Sequence, residues 1–106
     1  MKPLRVVLSR RARTDIRMIR NYIAERSPAN ADTFISRLER EILALGIYGT
    51  GAAIAPESTS FDFDLRQIIV WPYRVLFRIH RGRVEVLHVR HGARLPAQRD
   101  ERGRPQ

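Results

Sequence analysis

"YRVLFRIHRGRVEVLHVRH", residues 73–91, is the stretch on which the fold turns. Alternate positions are apolar, as a strand with one buried face requires, and the positions between them carry arginine and histidine. Arg81-Gly82 interrupts the run with a turn signal. A two-residue turn there pairs His80 with Arg83, Ile79 with Val84, Arg78 with Glu85, Phe77 with Val86 and Leu76 with Leu87. Paired residues share a face, so Tyr73, Val75, Phe77, Ile79, Val84 and Val86 form an apolar side. Arg74, Leu76, Arg78, His80, Arg83, Glu85, Leu87, Val89 and His91 form the other.

Working backwards, "FDFDLRQIIV" (61–70) alternates and then becomes wholly apolar, as a strand does on entering a sheet. Trp71-Pro72 closes it, since proline has no N–H for a ladder and presets a turn. Shifting that turn by one residue moves Arg66 from one face to the other, and both registers are open. Residues 46–60, "GIYGTGAAIAPESTS", have no periodicity and are rich in small residues, so a mobile loop is expected.

The N-terminal half is helical. Ala12, Ile16, Ile19 and Ile23 recur at helical spacing behind Ser9, a capping residue, with Arg11, Arg13, Arg17 and Arg20 on the other face. Ser27-Pro28 stops this helix and starts a second, in which Ala31, Phe34, Ile35, Leu38, Ile42 and Leu45 lie on one side and Gly46 marks the end. Helices over about 10–26 and 28–45 with so short a joint pack as an antiparallel hairpin. "PLRVVLS" (3–9) supplies an N-terminal strand. The order gives an α+β domain over residues 1–94, in which an N-terminal strand and a helix hairpin precede a three-stranded antiparallel meander, with the helices on one face. No later helix remains to cover the Arg/Leu face, which is expected to stand open to an acidic amphipathic partner. Residues 95–106, "LPAQRDERGRPQ", are polar and proline-broken, and are expected to form a flexible tail.

Composition narrows the function. The net charge is +9, from 20 basic and 11 acidic residues. Nineteen of the basic residues are arginines and one is Lys2. Such a chain attracts polyanions. With no cysteine, thiolate nucleophiles, thiolate metal sites and disulfides are excluded. His88 and His91 lack a carboxylate companion and make a poor metal site, so neither metal nor cofactor is expected. No run is long enough for a bilayer span or a signal-peptide core, and a cytoplasmic protein without membrane contact is expected.

Taken in order and at matching spacing, Leu65-Arg66, "PYRVLFRI" (72–79), "VEVL" (84–87) and "HVRHGAR" (88–94) resemble the RelE/ParE superfamily of type II toxin–antitoxin toxins, also called plasmid stabilisation proteins. The resemblance covers about residues 4–94. It implies a basic toxin wrapped by a cognate acidic antitoxin in a hetero-oligomer, with Arg74, Leu76, Arg78 and Leu87 as the antitoxin contact. RelE-type members resemble ribonucleases that cut messenger RNA on the ribosome. Their pattern falls on Arg74 and Arg94, with Arg66 near their other basic residues. Arginine stabilises developing phosphate charge but cannot act as a base. The tyrosine of that pattern is missing, because no tyrosine follows Tyr73, and His91 is the substitute of suitable pKa. The two full helices and "VRHGAR" (89–94) are more similar to ParE-type toxins, which poison DNA gyrase and have no catalytic residue. On that reading Arg90, His91 and Arg94, with the arginine face of the first helix, contact the target. A non-toxic nucleic-acid-binding module is a third reading, weakened by the scarcity of aromatic residues on the basic face.

Overall fold

The structure, a computed structural model, describes residues 2–92. Strand β1, Arg5–Leu8, leads through Ser9 into helix α1, Arg10–Ala24. The Ser9 hydroxyl caps α1, accepting from the Ala12 amide at 3.0 Å. Helix α2, Pro28–Tyr48, starts the same way: Ser27 Oγ accepts from the Asn30 amide at 3.2 Å, and Pro28 occupies the first turn, where its missing N–H costs nothing. The expected end at Gly46 is not an end. Gly46 is buried inside the helix, where its carbonyl accepts from the Leu4 amide at 2.8 Å. A Cβ there would sit 2.5 Å from the Leu4 carbonyl oxygen. Glycine is present because a backbone passes against it, not because the helix turns.

After α2 come a 3-10 turn at Gly49–Gly51, strand β2 at Ala53–Ile54 and a second 3-10 turn at Pro56–Ser60. Strands β3, Arg66–Val70, β4, Tyr73–His80, and β5, Arg83–His91, complete the domain. The sheet is mixed and five-stranded in the order β1-β5-β4-β3-β2, with β1 parallel to β5 and the other pairs antiparallel. The α+β architecture and the helix hairpin are as expected, and β1 and β2 extend the expected three-stranded meander at its two edges.

Both helices pack on one face of the sheet. Ala12, Ile19, Ile35, Leu38, Ile42 and Leu45 meet Val70, Tyr73, Val75, Phe77, Val84, Val86 and Val89 in the main core. Two-residue turns join β3 to β4 at Trp71-Pro72 and β4 to β5 at Arg81-Gly82. Both residues of the second turn have positive φ, 53° and 75°, the geometry whose twist matches a hairpin.

Two expectations need correction, and one open register is decided. The segment 46–60 is not a structureless loop, and the strand expected over 61–70 starts only at Arg66. Residues 55–65 instead fold across the reverse face, where Ala55 and Leu65 bury against Leu76, with Phe63 and Leu87 alongside. This second, smaller core exists because the apolar residues of the segment match the leucines of the basic face. Burying each leucine is worth about 1.5–3 kcal/mol. Ser58 pins the segment, its hydroxyl accepting from the Leu65 amide at 2.9 Å. The face expected to be open is therefore roofed in part by the chain itself.

The second correction concerns register. Phe77 pairs with Val86 as expected, but Leu76 pairs with His88, which leaves Leu87 as the extra residue of a β-bulge. The bulge reverses alternation beyond it. Val89 joins the main core, and His91 pairs with Tyr73, their rings edge to face at 5.4 Å. Neither lies on the reverse face. Of the two registers open for Arg66, the structure takes the one in which it pairs with Phe77, on the helix-facing side and away from Arg74.

Candidate functional site: a saturated arginine and a basic-rimmed groove

Arg74, the second residue of β4, projects onto the reverse face and is fully buried. A buried guanidinium must have its donors satisfied. Here Nη1 and Nη2 donate to the two carboxylate oxygens of Glu57 at 2.8 and 2.7 Å, while Nε and Nη2 donate to Gln67 Oε1 at 2.9 and 2.6 Å. The fork-to-fork geometry is the strong form of the pair. Burial by itself raises the Glu57 pKa. The hydrogen bond from Arg74, a backbone hydrogen bond, and the charges of Arg74 and Arg90 outweigh it and hold the carboxyl below its usual range.

The other residues singled out from the sequence are dispersed. Leu76 is buried in the second core and Leu87 packs on its edge. Arg78 lies over the Phe63 ring at 4.8 Å and donates to Glu85 at 2.7 Å. Its hydrogen bond is the main cause of a lowered Glu85 pKa, with burial opposing and Arg83 assisting. Arg66 donates to the Ala52 carbonyl at 2.8 Å. His91 lies opposite Tyr73 at the start of β4, four residues and about 13 Å along the strand from the Arg66–Phe77 pair, and on the face opposite to Arg74. Arg94 falls outside the described residues. Arg66, Arg74 and His91 thus share no phosphate-sized site. No three His, Asp or Glu side chains come together as metal ligands among the described residues.

A further concavity lies elsewhere. A groove of about 920 Å³ runs between α1 and the C-terminal half of β5. Val89, Ile19, Ile23 and Phe34 give it an apolar lining, the exposed Met18 and Tyr22 flank it, and Arg11, Arg90 and His91 add polar and cationic groups. Strand β1 pairs with β5 only through Val86, so among the described residues β5 beyond the bulge has no strand neighbour on this side. Asp15 takes that place. Its Oδ2 accepts from the Val89 amide at 2.9 Å and bonds His88 Nδ1 at 2.5 Å, and its Oδ1 accepts from Arg11 at 3.0 Å.

Asp15, Glu57 and Gln67 were not evident from the sequence. Asp15 left a signal, being the one acid in α1 among five arginines. Glu57 left none, because its partner lies seventeen positions away in a segment without periodicity.

At TM-score 0.68 and 18% identity, the fold matches a chain of the chromosomal ParDE toxin–antitoxin system from P. aeruginosa, over 83% of this chain and 95% of that one. It also matches a chain of the RelBE2 toxin–antitoxin complex from Mycobacterium tuberculosis, at TM-score 0.61 and 17% identity, over 84% and 98%. In sequence the chain is 32% identical over 91 residues to Toxin RelE2 of Caulobacter vibrioides, which covers 85% of this chain and 97% of that one. The family model of the ParE toxin of the type II toxin–antitoxin system parDE matches residues 6–96. The chain belongs to the ParE toxin family, within the RelE/ParE superfamily.

Proposed function

We propose that the chain is a ParE-like inhibitor of DNA gyrase, without a catalytic residue of its own, held inactive by a cognate acidic antitoxin. The observation that carries this reading is the saturation of Arg74. Its guanidinium is spent on Glu57 and Gln67 inside the fold, Arg66 on a backbone carbonyl, and His91, paired with Tyr73, lies on the helix-facing side of the sheet, opposite to Arg74. In-line cleavage of RNA needs such groups to converge on one phosphate. RelE-like, ribosome-dependent message cleavage is the second reading, favoured by the relative named RelE2.

The antitoxin contact follows the exposed surface. Arg74 and Leu76 are covered, so the docking site moves to the groove between α1 and β5, while Arg78 and Leu87 remain at the margin of the covered face. An acidic amphipathic segment fits an apolar lining with Arg11 and Arg90 beside it. Arg90 and His91 line that groove and, with Arg94, are the residues proposed for target contact. An antitoxin seated there neutralises by covering them.

Expression of the chain without antitoxin tests the reading. Replication arrest with double-strand breaks and intact messages supports it, whereas cleaved messages and halted translation establish the alternative. Tyr22→Ala with Met18→Glu should weaken antitoxin binding at least about tenfold, since exposed aromatic anchors dominate such contacts. Unchanged affinity removes the groove as the docking site.

A further inference from the structure

Arg10, Arg13 and Arg17 are exposed on one side of α1, and none has a carboxylate partner among the described residues. Five other arginines are neutralised within the chain: Arg11 by Asp15, Arg20 by Asp32, Arg74 by Glu57, and Arg78 and Arg83 by Glu85. At helical spacing the three fall within a stripe about 60° wide, and at 1.5 Å per residue they span about 10 Å. The placement is unfavourable for the free protein. Like charges at i,i+3 and i,i+4 repel, and no acidic residue occupies the first turn to offset them.

We propose that Arg10, Arg13 and Arg17 form a contact row for the phosphate backbone of duplex DNA. This goes beyond the toxin reading and does not depend on which target the toxin has. One DNA strand carries a phosphate about every 3.4 Å of helix axis, so a rigid row of this length spans about three. The row holds no aromatic side chain, which points to duplex backbone and not to single strands held by base stacking. Its geometry also separates it from the groove. Arg11, Asp15, Met18 and Tyr22 turn toward the groove, and the centre of the row lies more than a quarter-turn round the helix from each of them. Both surfaces are available at once, so the chain can hold DNA with the groove filled. The arginine face expected from sequence is corrected in two members: Arg11 belongs to the groove and Arg20 pairs with Asp32, and Arg10 joins Arg13 and Arg17 in the row.

The test is fluorescence anisotropy of the purified full chain on a labelled duplex of about 20 base pairs, titrated between about 50 and about 200 mM salt. The variant R10Q/R13Q/R17Q should bind more weakly, and its slope of log affinity on log salt should be shallower by about 0.9 for each arginine lost. The control R37Q/R40Q/R81Q removes the same charge from exposed positions elsewhere. It should retain most of the wild-type slope. Should the triple variant fail to fold, R13Q alone should lower the slope by about 0.9. An unchanged slope, an equal loss in the control, equal affinity for a single strand of the same length, or a loss seen only on vesicles of anionic lipid would each overturn the proposal.

Discussion

Arg74 and Glu57 are seventeen residues apart and meet fork to fork, the arginine fully buried at the centre of the sheet and the glutamate in the segment that covers it. The pair fastens residues 55–65 over what is otherwise a face of leucine and arginine, and converts it from a surface into a small core.

Breaking the pair from one side should therefore cost more than removing it whole. Glu57→Ala strands a buried cation and should destabilise the fold by about 3–5 kcal/mol in urea denaturation. The double variant Glu57→Leu with Arg74→Met should lose less than Glu57→Ala alone. Additive losses in a double-mutant cycle would show that the two side chains do not depend on one another.

The same pair sets a pH dependence. The folded-state pKa of Glu57 lies below its ordinary 4.5, so its contribution is fully present above about pH 4.5 and is lost as pH falls through the lowered folded value. Glu85, lowered through Arg78, acts in the same direction. The urea midpoint of the wild type should fall between about pH 6 and about pH 3, and the fall should be shallower in Glu57→Gln. Parallel pH profiles would contradict this assignment.

Two glycines give a paired test of packing. Gly46→Ala drives a Cβ to 2.5 Å from the Leu4 carbonyl oxygen and should cost about 1–3 kcal/mol. Gly51→Ala meets nothing within 4 Å and should stay within about 0.5 kcal/mol of wild type. Thermal melts of the two read the difference directly, and equal melting temperatures would refute the close contact of α2 with the chain before β1.

Asp15 ties α1 to the bulged half of β5 through the Val89 amide and His88. Asp15→Ala should leave that amide without its acceptor, destabilise the domain by about 1–3 kcal/mol and speed hydrogen exchange at Val89. Unchanged exchange at Val89 would mean that the carboxylate does not hold the strand.

Much of this was legible in the residues. Ser9, Ser27 and Pro28 are local signals, and each starts its helix where the cap chemistry demands. Turn chemistry likewise placed Trp71-Pro72 and Arg81-Gly82. What escaped was non-local. A bulge needs one extra residue with no composition of its own, and Leu87 moved Val89 and His91 to the opposite face. The cover over the sheet depends on Ala55, Phe63 and Leu65 finding Leu76 and Leu87, a match between segments that neither shows alone. Leucines on a face otherwise cationic were the trace of it.

The most direct test of the toxin as a gyrase inhibitor is supercoiling of relaxed plasmid by purified gyrase in the presence of the purified chain. Supercoiling should fall as the chain is added and recover when the antitoxin is supplied. Undiminished supercoiling, with messages cut when the same chain is added to translating ribosomes, would contradict the account.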